Sequence, residues 1–84
     1  MKVYYITFRS VTHAQRGERV LQNAGIRCTL QRTPRWMEVQ GCGYSLRLWT
    51  ADAALAVGAL RQVGVPLRKI YVQMEDGILE ETAL

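Results

Sequence analysis

The chain has 84 residues, 49% of them hydrophobic, and a formal net charge of +4. That length supports one domain with one modest core, and that apolar content excludes a disordered chain. The positive balance suits an anionic partner, either nucleic acid or an acidic protein surface.

No apolar run approaches the roughly 20 residues of a membrane helix. Met1-Lys2 leads straight into Val-Tyr-Tyr-Ile-Thr-Phe with no cleavage-site pattern, so a cytoplasmic location is expected. Two cysteines, Cys28 and Cys42, do not make a disulfide framework and are expected to stay reduced there.

Residues 3–8 are β-branched and aromatic and predict a first strand. Ser10 or Thr12 then caps a helix over about 12–24, with Ala14, Gly17, Val20, Leu21 and Ala24 at helical spacing and Gly25 as its stop. Ile26 to Gln31 alternates and predicts a second strand. Arg32 to Gly43 is a connection containing Pro34. Tyr44 to Trp49 is the third strand, and Thr50 caps a second helix over about 51–63, ended by Gly64 and kept from continuing by Pro66. Leu67 to Gln73 is the fourth strand. Glu75 onward reads as an acidic tail.

The order β-α-β-β-α-β repeats one supersecondary unit. It predicts an α+β, ferredoxin-like βαββαβ sandwich: a four-stranded antiparallel sheet with two helices on one face. Residues 1–74 would form this single domain and 75–84 the tail. Right-handed crossovers would make the first two strands parallel, so the loop after strand one and the loop between strands two and three share an end. Cys42 would then lie near Ser10, Thr12 and His13 at the start of the first helix.

Cys42 sits between Gly41 and Gly43. Glycines on both sides free the backbone and leave the sulfur unshielded. The thiolate is the reactive form, and cations or unpaired helix N–H groups favour it. Arg35 and Arg47 are the cations close in sequence. The competing reading is a small residue in a glycine-rich hairpin with no chemistry.

Pro34-Arg35, Cys42-Gly43 and Leu46-Arg47 together resemble the small bacterial family of selenium/sulfur carrier-like proteins, formerly a domain of unknown function. The likeness extends to Phe8, Ser10 and Ala24-Gly25-Ile26, and covers about residues 3–72. It implies a carrier protein rather than an enzyme, with sulfur or selenium held on Cys42 as a persulfide or selenosulfide. Arg35 and Arg47 match the family's motif positions. Donor and acceptor proteins would be the partners, and no cofactor is implied. Members also occur joined to a domain similar to the small sulfur-transfer proteins; no second domain is expected here.

Other residues offer less. Cys28 is in phase with Ile26 and Leu30 and reads as a small core residue. His13, the one histidine, could orient an anion or act as an acid–base beside Cys42, although a first-turn histidine is more often solvated. Cys42, Cys28 and His13 lack a fourth ligand and a zinc spacing, so no metal site is expected. A cysteine–histidine catalytic dyad lacks an orienting third group.

A second surface competes with the loop. If Tyr4, Ile6, Phe8, Cys28, Leu46, Leu48, Ile70 and Val72 face the helices, the other face shows Tyr5, Thr7, Arg27, Thr29, Ser45, Arg47, Trp49, Lys69 and Tyr71. Mixed aromatic and basic residues on an open sheet suit single-stranded RNA, although the glycine-aromatic signature of RNA-recognition motifs is missing. Such a face equally suits a protein partner, including a second copy as a homodimer.

Overall fold

The computed structural model describes residues 2–33, 43–75, 77 and 79–84. Its elements are β1 (Val3–Thr7), α1 (Val11–Asn23), β2 (Thr29–Arg32), β3 (Tyr44–Trp49), α2 (Thr50–Gln62), β4 (Ile70–Gln73) and β5 (Leu79–Thr82). The fold is α+β, with two helices and one antiparallel sheet in the order β2-β3-β1-β4-β5.

The expected sheet of four strands is corrected to five. The acidic stretch contains β5, which pairs with β4 from Ile70↔Thr82 to Gln73↔Leu79. Leu79 to Thr82 carries too few apolar residues to announce a strand locally. It is held by the free edge of β4, whose unpaired backbone groups offer a template.

Two strand starts also shift. Ile26 to Cys28 precede β2, and Leu67 to Lys69 precede β4. Ile26 is nonetheless buried because its N–H donates to the Leu21 carbonyl at 2.9 Å while Gly25 N–H donates to Gln22. This paired closure of a helix end folds the following apolar residue back onto the helix. α2 ends the same way, with Gly64 N–H on Arg61 and Val65 N–H on Leu60. Both glycines have φ +75.

The expected cap of α2 is corrected as well. Thr50 is already helical and Trp49 is the cap residue, still extended at φ −87, ψ 156, with no side-chain capping bond. Asp52 in the first turn instead places negative charge at the positive end of the helix dipole. At the other end, Arg16 Nη2 donates to Val63 O at 3.2 Å, which ties α1 to the C-terminus of α2.

The core lies between the helices and one sheet face. Ile6, Phe8, Leu46, Leu48 and Ile70 meet Ala14, Leu21, Ala56, Val57 and Leu60 there, with Tyr4, Cys28 and Leu30 packed at its margin. Alternation in β1 and β3 thus points the expected residues inward. No helix among the described residues is long and apolar enough to cross a membrane.

Candidate functional site

The end of β1 meets the start of β3, since Thr7 pairs with Ser45. β2 reaches the same end, pairing Arg32 with Tyr44. Thr33 N–H then donates to Gly43 O at 2.7 Å, closing the ladder on either side of residues 34–42. α1 begins at this end and packs over β3 and β2. The structure therefore gathers the first turn of α1 and the two ends of the 34–42 connection into one region. Arg35, Gly41 and Cys42 themselves lie outside the described residues, so the proximity expected for them rests on Gly43, the neighbour of Cys42 in the chain.

Gly43 has φ +77, a left-handed conformation in which a Cβ would be strained although nothing crowds it within 4 Å. That conformation starts β3. Ser10 is the cap of α1, with φ −138 and ψ 154, and its Oγ accepts the His13 N–H at 3.1 Å. Its oxygen is thereby engaged in the helix. Thr12 is exposed. His13 is half-buried, and its Nδ1 is shut from solvent with no hydrogen-bond partner among the described residues. Thr33 Oγ1 and Ser45 Oγ share that condition. Unpaired buried polar atoms are rare; two of these flank the 34–42 connection and the third is in the first turn of α1, which marks a polar end of the molecule.

Arg47 is placed differently. Its guanidinium stacks 5.1 Å from the centre of the Trp49 ring, on the sheet face turned away from the helices. It lies roughly 13 Å along the strand from Gly43, so it does not join Ser10, Thr12 and His13. Arg32 does reach that end: it stacks 5.5 Å from the Tyr44 ring, beside the core, one residue before Thr33. Arg32 is not among the candidates the sequence offers, because it falls in the expected connection from Arg32 to Gly43. Its alternation with Cys28 and Leu30 was the available signal.

Cys28 is half-buried at the core margin, and burial, with the Glu18 carboxylate adding to it, pushes its thiol pKa up. Both causes disfavour the thiolate. Cys28 is thus held toward its protonated thiol form.

The second face is less open than its alternation suggests. Thr7 and Ser45 are wholly buried, while Tyr5, Arg47 and Tyr71 are half-buried and Trp49 is 41% exposed. The open part lies toward the start of β1, where Tyr5 Oη donates to Gln73 Oε1 at 3.2 Å. β5 adds Glu81 to this face, 3.5 Å from Lys69.

In comparison with known proteins, residues 3–72 match a family model described as Putative Se/S carrier protein-like. No curated protein and no solved structure matches the chain.

Proposed function

The chain belongs to the Se/S carrier protein-like family, and from that premise we propose that it carries sulfur or selenium from a donor to an acceptor protein on Cys42. The match over residues 3–72 is the observation that carries this reading. The thiolate of Cys42 attacks the terminal sulfur of a donor persulfide. A bond forms between Cys42 Sγ and that sulfur, the donor's S–S bond breaks, and the donor sulfur leaves as a thiolate. A perselenide donor loads selenium by the same displacement. No oxidant is consumed, and the acceptor reverses the step, so the protein is a shuttle without turnover of its own.

Several features support the reading. Gly43 leaves the cysteine's C-terminal side without a side chain. The first turn of α1 presents unpaired N–H groups at the end where β3 begins, which favour an anion. Arg35 is assigned by the motif and His13 by its unpartnered Nδ1. Arg47 shares the motif, but its place on the opposite face suggests a different task. We take residues 1–74 as the carrier domain, a ferredoxin-like unit in our reading because β1 lies between β3 and β4, with 75–84 as an added edge. A cytoplasmic site of action suits a thiol that must stay reduced between transfers.

The test is loading with glutathione persulfide followed by peptide mass spectrometry, with Cys28 as internal control. One added sulfur atom on the Cys42 peptide, absent from Cys28 and from the Cys42→Ser variant, is the expected result. Equal loading of both cysteines, or an inert Cys42, overturns the reading.

A further inference from the structure

One row of side chains crosses the face turned away from the helices. Register places Arg47 beside Tyr5, Tyr5 beside Tyr71, and Tyr71 beside Glu81, on β3, β1, β4 and β5 in turn. Cation, ring, ring and anion therefore stand side by side, each about 4.8 Å from the next. Glu81 is exposed, with 60% of its side chain accessible, and its contact with Lys69 is a solvent-exposed ion pair worth little. The flanking Trp49 is exposed too.

This row is complementary to itself. A two-fold axis running along the strands, between β1 and β4, turns the row end for end. Tyr5 then faces Tyr71 of a second copy, and Arg47 faces its Glu81. Both charge pairs and both ring pairs form at once, as an isologous contact requires. We infer that this face binds a second copy of the same chain, with the Arg47–Tyr5–Tyr71–Glu81 row across its centre.

The aromatic rings supply offset or edge-to-face contacts worth more than their area alone. The charges fix the register and oppose any slip that would bring Arg47 onto Arg47. Face-to-face sheets cross at about 30°, which displaces the outer rows more than the one at the axis. Single-stranded RNA is the competing occupant of such a face. Glu81 argues against it, because an anion at the end of the row repels phosphate and complements a second Arg47. The inference goes beyond the carrier reading and does not rest on it, since Cys42 plays no part.

Sedimentation velocity of the full chain, from micromolar to submillimolar concentration, tests it. The expected result is a dimer that raised salt weakens. Arg47→Glu and Glu81→Arg should each raise the dissociation constant about tenfold or more, and the double charge swap should regain association. Circular dichroism checks the fold of each variant. If Arg47→Glu fails to fold, Arg47→Met keeps the stem over Trp49, removes the charge and should still weaken the dimer. Cys42→Ser should dimerise like the natural chain, which separates this inference from the carrier reading. A natural chain that stays monomeric, or folded variants without the charge-swap recovery, overturns it. Binding of an oligouridylate by the monomer, lost in Arg47→Glu, would assign the face to RNA instead.

Discussion

Thr7 and Ser45 stand directly opposite one another on β1 and β3, and both are wholly buried, yet only one hydroxyl has a hydrogen-bond partner among the described residues. Thr7 Oγ1 accepts the Lys69 N–H at 3.0 Å, whereas Ser45 Oγ has no partner among the described residues. The two should respond oppositely to loss of the hydroxyl. Thr7→Val strands a backbone donor and should cost about 1–2 kcal/mol, while Ser45→Ala should be neutral or stabilise by about 1 kcal/mol. Denaturant midpoints of the two variants check this, and equal losses would show that Ser45 Oγ is bonded after all.

The two mid-helix glycines predict another opposition. A Cβ on Gly17 would stand 3.1 Å from Phe8 Cζ and 3.3 Å from Leu46 Cδ1, so this residue lets α1 lie close to the sheet. Gly58 has nothing within 4 Å. Gly58→Ala should therefore gain about 0.5–1 kcal/mol from helix propensity. Gly17→Ala makes the same gain locally but pushes two core side chains, and its net effect should be a loss. Thermal melts of the pair settle the order.

Cys28 makes stability depend on pH. Its folded thiol pKa lies above the ordinary value of 9.0. Below the unfolded pKa both states hold the proton and this contribution is complete. Above it the unfolded chain releases a proton that the folded chain retains, so stability falls as pH rises toward the folded pKa. Between about pH 8 and 10 the natural chain should lose more stability per pH unit than Cys28→Ala. Glu18→Gln should reduce that difference, because the neighbouring carboxylate is the second cause of the shift. Parallel slopes for all three chains would remove Cys28 from the account.

Ser10 has a helix to hold before it has anything to bind. Ser10→Ala removes the acceptor for His13 N–H and should cost about 1 kcal/mol, with Ser10→Asp retaining most of the stability. Urea denaturation checks both. If Ser10→Ala leaves stability intact while slowing the alkylation of Cys42, the hydroxyl serves the thiol rather than the helix.

β5 predicts the effect of truncation. The core cluster is built from residues 6 to 70, and the described contacts of the last segment are strand pairing, Lys69–Glu81 and the Arg61 Nη1 bond to Leu84 O at 2.7 Å. A chain ending at Glu75 should fold, melt at a lower temperature and lose the Glu81-dependent association. Loss of the circular dichroism of both helices would mean that β5 is required for the domain itself.

Much of this molecule is local in origin and was legible in the residues. Alternation in Val3–Thr7 and Tyr44–Trp49 sets which side chains meet the helices, and Gly25 and Gly64 mark the ends of both helices, because a residue's own φ/ψ preference and its neighbour's polarity act over a few positions. The candidate site was legible in part: the Gly-Cys-Gly stretch stands out by composition, and the first turn of α1 lies at the end where β3 begins, as the chain order predicted. Register between distant strands has no local signal, since it is decided by which backbone edges are left to pair. Only the tertiary structure gave the acidic tail a strand, buried Thr7 and Ser45, and set Glu81 in one row with Arg47.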